Sequence, residues 1–163
     1  MNILIRPLKV DDAYTSVRWR NDPEVFKYTG NTYDHEISIE SELNWIKKVI
    51  ANTRDYRCAI IADNVYVGNI YLTDIADGVG YYHIFIGEKS YWGKGIAKKA
   101  SQLIIEYGFE VLGLNQIRLR VRKANTAAFA LYKSLGFSIA DEDEMLLMTL
   151  QKELNFHRSL YNK

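Results

Sequence analysis

Trp92-Gly93-Lys94-Gly95-Ile96-Ala97 stands where one hydrophobic pattern gives way to another. Before it, Gly80-Tyr81-Tyr82-His83-Ile84-Phe85-Ile86-Gly87 is rich in aromatic and β-branched residues and predicts a strand. After it, Ile96, Ala100, Leu103, Ile104 and Tyr107 share one helical face, which predicts a helix over about 94–111 with Gly113 as its stop. Two glycines at such a junction leave the backbone open to close approach, and the helix start adds unpaired N–H groups at the positive end of its dipole. The junction suits a diphosphate; a plain tight turn is the alternative. Its spacing matches neither the nucleoside-triphosphate loop nor the dinucleotide fingerprint.

Outward from this point the elements alternate. Residues 3–6 predict a strand closed by Pro7, and Asp11 and Asp12 offer cap chemistry for a helix to about Arg20. Asn21-Asp22-Pro23 breaks it, and a short helix opens on Pro23 and Glu24. Past the polar stretch 29–35, a helix opens at Ser38 with Leu43, Ile46, Lys47 and Ile50 near helical spacing. Strand patterns over 56–62 and 65–73 flank Asp63-Asn64, a two-residue hairpin turn. A strand over 117–122, a helix over 126–135 capped by Asn125, and a last strand over 144–151 complete the chain. Leaving aside the short Pro23 helix, the order is β-α-α-β-β-β-α-β-α-β. That order predicts an α/β (α+β) fold with a mixed sheet covered by helices.

The chain has 163 residues, 48% apolar and 25% charged, which fits one globular domain over 1–163. With Lys+Arg 21 against Asp+Glu 20, it lacks the positive field that nucleic-acid binding requires. A single cysteine, Cys58, forbids an internal disulfide and suits a small core residue, and His35, His83 and His157 are too scattered for a metal site. No apolar run approaches the roughly 18 residues of a membrane span, and Ile3-Leu4-Ile5 is too short for a signal-peptide core. A cytoplasmic location without membrane, nucleic-acid or metal partners is expected. The 12 tyrosines are an excess of amphipathic rings that composition alone does not assign.

Two segments carry a resemblance. Gly93-x-Gly95 opens a helix, and Asn125-x-x-Ala128-x-x-x-Tyr132-x-x-x-Gly136-Phe137 follows one strand later, with 125, 128 and 132 on one helical face. In local terms Asn125 caps, Ala128 packs and Tyr132 fills core. Taken together the segments resemble the GNAT superfamily of acetyl-CoA-dependent N-acetyltransferases. Arg6-Pro7-Leu8, Trp19-Arg20-Asn21-Asp22-Pro23-Glu24-Val25 and Val67-Gly68-Asn69-Ile70 are similar to its subgroup of ribosomal-protein N-terminal and amino-sugar acetyltransferases.

The resemblance implies a mostly antiparallel sheet of about six to seven strands with helices on both faces, and acetyl-CoA as cosubstrate without a metal. It implies that backbone N–H groups of Gly93, Lys94, Gly95, Ile96 and Ala97 hold the diphosphate. Phe85 and Ile86 would pair with the pantetheine arm, with Asn125 and Ala128 beside it; Lys94, Lys98 and Lys99 at the helix start are candidates for the adenosine 3′-phosphate, with plain solvent exposure as the alternative. Tyr132 would be the general acid at the thioester sulfur, a role a neutral phenol can fill at neutral pH. Two positions depart from the pattern: Ser90 stands where Gln or Arg is usual, and Ala128 where Ser is commoner.

The strand before the glycines also lacks the carboxylate that many members use as base. His83, sharing a face with Tyr81 and Phe85, is the one group there that titrates near neutrality. It is either the base or a half-exposed strand histidine. Acceptor contacts are expected from Trp19, Arg20, Asn21, Tyr28 and Tyr81, with Lys27, His35 and Trp45 as further candidates and core packing as the alternative for Trp19 and Trp45. Arg118, Arg120 and Arg122 share a strand face, either solvated or facing an anionic acceptor. The expected activity is direct transfer to a small primary amine, such as a nucleotide-linked amino sugar. A ribosomal-protein N-terminus is the second acceptor class, and a non-catalytic acyl-CoA sensor the alternative of another kind. The 153–163 tail suits a homodimer contact or a loose end of a monomer.

Overall fold

Seven strands form one sheet in the order β1-β2-β3-β4-β5-β7-β6 in the computed structural model, which describes residues 1–27 and 35–153. In chain order the elements are β1 (Ile3–Pro7), α1 (Ala13–Arg20), α2 (Pro23–Phe26), α3 (Ile39–Ala51), β2 (Tyr56–Ala62), β3 (Val65–Ala76), β4 (Val79–Ile86), α4 (Ile96–Glu110), β5 (Gln116–Arg122), α5 (Thr126–Ser134), β6 (Ser138–Glu142) and β7 (Met145–Gln151). Tyr28, Tyr33 and the tail beyond Glu153 lie outside the described residues. Neighbouring strands run antiparallel except β4 and β5, which are parallel.

Local chemistry accounts for most boundaries. Asp22 accepts a hydrogen bond from the Glu24 amide at 3.0 Å and Pro23 fills the first turn, which starts α2. Ser38 accepts from Ser41 at 3.1 Å to start α3, and Asn125 from Ala128 at 3.2 Å to start α5. Asp63 and Asn64 both take positive φ, 46° and 69°, as a tight two-residue hairpin demands. Arg6 binds both oxygens of Asp12 at 2.8 Å, tying β1 to the approach to α1.

Three expectations need correction. The chain has a strand, β6, where none was foreseen: its five residues are all exposed and carry no apolar alternation, so only pairing with β7 defines it. Strand β3 does not stop at Thr73 but continues to Ala76 across an irregularity at Asp74, whose φ is +51°. On α4, Leu103 and Tyr107 are only half-buried, while Ser101, Ile105, Gly108 and Phe109 join Ile96, Ala100 and Ile104 in the interior.

Both sheet faces are covered. Helix α4 packs on one, joining Ile60, Ile70, Leu72, Ile117 and Met148 in the main core, with Phe129 and Tyr132 of α5 at its margin. Each of these large side chains contributes roughly 1.5–3 kcal/mol by leaving water. On the other face, Trp45 of α3 packs beside Ala59, Ile61 and Tyr71. Cys58 is a buried core thiol, and among the described residues no helix is long and apolar enough to cross a membrane.

Trp19 seals the junction between the helices and the end of β4. It is 3% exposed, and a Cβ added at Gly87 would fall 2.0 Å from its ring. Gly87→Ala is therefore expected to lower stability by roughly 1–3 kcal/mol through overpacking, read as a fall in the urea midpoint. An unchanged midpoint would show that the indole yields at no cost.

Candidate active site

The pairing of β4 with β5 stops early. Val79, Gly80 and Tyr81 face Gln116, Ile117 and Arg118, and there the ladder ends, although β4 continues to Ile86 and β5 to Arg122. A cavity of about 760 Å³ occupies the divergence. Because side chains alternate along each strand, Tyr82, Ile84, Leu119 and Val121 line it from the α4/α5 face, while His83, Phe85, Arg120 and Arg122 line it from the α3 face. The cavity thus reaches both sides of the sheet, and its volume suits a small-molecule site.

At the far end of β4 lies the glycine junction. Gly93 and Gly95 have φ of +74° and +77°, and a Cβ at either position would meet no atom within 4 Å. Their glycine character therefore answers to backbone conformation and open space rather than to internal packing. Gly95 caps α4 without any side-chain hydrogen bond, so the first amides of the 15-residue helix are left available. The buried Ile96 side chain anchors the turn, and Trp92 donates from its indole to the Ile86 carbonyl at 2.8 Å, fixing the loop to the end of β4. Lys94 lies 5.5 Å over the Tyr91 ring; Lys98 and Lys99 are exposed.

Helix α5 brings Asn125 and Tyr132 to the cavity, whereas Ala128 turns against the core. The Tyr132 ring stands edge-on to Tyr82 at 5.6 Å and to Phe137 at 6.1 Å. The Ser101 hydroxyl donates to the Ala97 carbonyl at 2.6 Å, so Tyr82 donates its own proton to Ser101 at 2.5 Å. Tyr82 is thereby committed, whereas the Tyr132 phenol makes no hydrogen bond among the described residues, and nor does that of Tyr71 on the opposite side of the cavity. Burial pushes the Tyr132 pKa up to about 12, which keeps it protonated.

On the opposite side, His83 Nε2 lies 3.0 Å from Thr73 Oγ1. Desolvation, and after it the charge of Arg57, hold its pKa below the usual 6.5, with Asp74 and Asp55 opposing. The ring is thus neutral at physiological pH. Tyr81 borders a side recess that it shares with His83, Asp74 and Arg120.

The expected acceptor contacts divide. Arg20 lines the cavity, its Nε 3.3 Å from Glu42 and its guanidinium 5.0 Å over Trp45. Trp45 also lines the cavity, between Arg20 and Arg57, whose guanidinium is 5.6 Å from the indole and 4.5 Å from Tyr71. Trp19 does not reach it, being a core residue whose indole donates to Glu88 at 3.0 Å. Asn21 is committed as well, donating to the Ile37 carbonyl at 2.8 Å and accepting from its amide at 2.7 Å. Arg118 is bonded to Gln116, which leaves Arg120 and Arg122 as the cavity-lining arginines of β5.

Glu42, with Arg57 and Thr73, is a cavity residue that the sequence did not disclose as such. It is 1% exposed, accepts from Ser16 at 3.0 Å, and has its pKa raised by desolvation against the opposing effects of Arg20 and Ser16. A signal was present, since Glu42 lies four residues before Ile46 on the buried face of α3, where a lone carboxylate is out of place.

Comparison with known proteins agrees with this geometry. Residues 2–138 match the family model described as an acetyltransferase (GNAT) domain. The chain is 29% identical to the Bacillus licheniformis protein named uncharacterized N-acetyltransferase p20, over 83% of this chain and 78% of that one. It is 28% identical to the spermidine N(1)-acetyltransferase of Escherichia coli strain K12, over 86% and 75%. The fold superposes on the crystal structure of spermidine N-acetyltransferase from Vibrio cholerae in complex with CoA and spermine, with a TM-score of 0.81, 21% identity, and 91% and 95% of the two chains covered.

The raised Tyr132 pKa has a spectroscopic consequence. In protein labelled with ¹³C at the tyrosine ring, the Tyr132 Cζ resonance is expected to keep its phenol position at about pH 10.5, where a free tyrosine is largely ionised. Movement centred near pH 10 would contradict its burial.

Proposed function

The chain belongs to the GNAT acetyltransferase family and is an acetyl-CoA-dependent N-acetyltransferase; from that premise we propose that it acetylates a small primary amine bearing negative charge, a nucleotide-linked amino sugar before a polyamine or a protein N-terminus. One observation carries this choice. Of the four guanidiniums lining the cavity, Arg20 is paired with Glu42 and Arg57 with Asp55, whereas Arg120 and Arg122 make no ion pair among the described residues. Against the single unpaired carboxylate of Asp74, these two cations give the cavity a positive excess that disfavours a polyamine and favours a phosphate-bearing acceptor. The whole chain would act as one domain around this cavity.

The open glycines and the uncapped start of α4 fit the cosubstrate. Amides of Gly93, Lys94, Gly95, Ile96 and Ala97 would hold the diphosphate, where the helix dipole and unused N–H groups favour an anion. The edge of β4 that β5 leaves beyond Tyr81 would take the pantetheine amides around Phe85 and Ile86 as a missing strand would, with the Ile86 carbonyl already held by Trp92. Asn125 spends its oxygen on the Ala128 amide and keeps its NH₂ for the same arm. Bound acetyl-CoA supplies an acetyl thioester.

Each remaining step falls to the protein's own residues. His83, neutral at working pH, would take a proton from the acceptor ammonium so that the amine can attack. Backbone N–H groups at the β4 edge would polarise the carbonyl. Tyr132, held protonated, would donate a hydrogen bond to the departing sulfur and relay to it the second proton that the attacking nitrogen releases, so that the phenol is restored as the thiol leaves. Fixing both reactants within one cavity would provide much of the acceleration. The acceptor would lie on the α3 side against Arg20, Tyr81, Arg120 and Arg122.

Steady-state kinetics with a nucleotide-linked amino sugar, spermidine and a peptide tests this. The amino sugar should have the highest kcat/KM. Arg120→Ala with Arg122→Ala should raise its KM by roughly 10-fold or more, the worth of one charge-assisted hydrogen bond, without changing the KM for acetyl-CoA. Preference for spermidine, or indifference to the arginines, would refute an anionic acceptor.

Tyr132→Phe should lower kcat by about 100-fold or more at unchanged CoA affinity. His83→Ala should lower kcat/KM and remove an acidic limb that lies below pH 6.5, since the pKa of this histidine is depressed. A retained limb would exclude His83 as base.

A further inference from the structure

The hairpin of β3 and β4 places three polar side chains in line at the cavity. His83 Nε2 is 3.0 Å from Thr73 Oγ1, and that hydroxyl is 3.4 Å from Asp74 Oδ2, a long contact but the carboxylate nearest to it. Asp74 reaches this position only because β3 is irregular there. Its φ of +51° lies in the left-handed region, which Asp tolerates better than most residues, and falls within the β3 irregularity next to Thr73. A second carboxylate secures the bend: Asp55 accepts the Asp74 backbone N–H at 3.0 Å and is itself held by Arg57 Nε at 3.1 Å.

We infer that Thr73 and Asp74 are positioning residues that fix His83 in the tautomer carrying its proton on Nε2, leaving Nδ1 as the ring's basic nitrogen. This rests on the assignment of His83 as the base. A threonine hydroxyl has one proton to give, and the charged acceptor, Asp74, outcompetes the neutral ring nitrogen for it. The hydroxyl oxygen then accepts from His83 Nε2–H. With that proton committed, Nδ1 takes up the proton released by the acceptor ammonium and the ring becomes an imidazolium. Asp74 stabilises that cation through Thr73. The proton leaves Nδ1 for solvent after transfer, which returns the ring to its starting tautomer.

The charges around the ring support the assignment. Arg57 from β2 and Arg120 from β5 face it as cations, Asp55 and Asp74 as anions, and Tyr81 stands beside it on β4. Among the described residues Thr73 is the one side chain within hydrogen-bond distance of the ring, so it is the acceptor that orients it.

The test combines ¹⁵N spectra of the histidine ring with pH–rate profiles for the intact enzyme and its Thr73→Val, Thr73→Ser and Asp74→Asn variants. Above its pKa, His83 should show Nε2 protonated and Nδ1 bare. Thr73→Val should scramble this tautomer and lower kcat/KM by roughly 10-fold or more with KM for acetyl-CoA unchanged, and Thr73→Ser should restore both. Asp74→Asn should move the acidic limb to lower pH, because an anion that favours the imidazolium is gone. A bare Nε2 in the native enzyme, or Thr73→Val with a native tautomer and profile, overturns the inference. Failure of the base assignment has its own signature. If His83→Ala keeps the native rate and acidic limb, His83 is not the base, and the ring spectra still decide whether Thr73 and Asp74 set its tautomer.

Discussion

Everything at the active site depends on one interrupted ladder. Two parallel strands in the middle of a sheet would ordinarily bond along their common length, yet β4 and β5 share three residue pairs and then part. Interrupted pairing leaves backbone donors and acceptors that must find partners or face water, and exposing such groups in a protein interior is expensive. The gap opens instead on a cavity whose walls belong to both layers of the molecule. On the proposed reading, this defect in the sheet would serve as a slot in which the cosubstrate completes the ladder and the acceptor approaches from the opposite face.

The surrounding structure holds that slot open at defined points. Tyr82 is pinned to α4 through Ser101, and Trp92 ties the glycine junction to the last carbonyl of β4. Trp19 closes over Gly87 and reaches Glu88, which also receives Arg18, while Lys89 pairs with Asp22 and Glu24. Helix α1, the start of α2 and the approach to the glycine junction are therefore locked together. On the far wall, two guanidiniums flank Trp45, each neutralised by its own carboxylate. Charge is compensated on that wall and uncompensated at Arg120 and Arg122, an asymmetry that net charge near zero conceals.

The sequence disclosed the features written in local chemistry. Capping residues, the Asp63-Asn64 turn, the existence of helix α4 and the order of the glycine and Asn125–Tyr132 segments are each encoded within a few residues, whereas the buried face of α4 is only partly so. It did not disclose β6, because an edge strand without apolar alternation owes its existence to a partner rather than to its own composition. Nor did it disclose Glu42, Arg57 and Thr73 as cavity residues, since they meet only when α3, β2 and β3 converge. Trp19 and Asn21 show the converse: their types suited substrate contact, but the fold spends one on packing and the other on the Ile37 backbone.

Amide hydrogen exchange with and without acetyl-CoA addresses the interrupted ladder directly. If the gap is the cosubstrate site, residues 82–86 of β4 and 93–97 of the glycine junction should gain protection together on binding, while β1, β6 and the β2–β3 turn stay unchanged. Saturating acetyl-CoA that leaves both segments exchanging at their free rates would contradict the account.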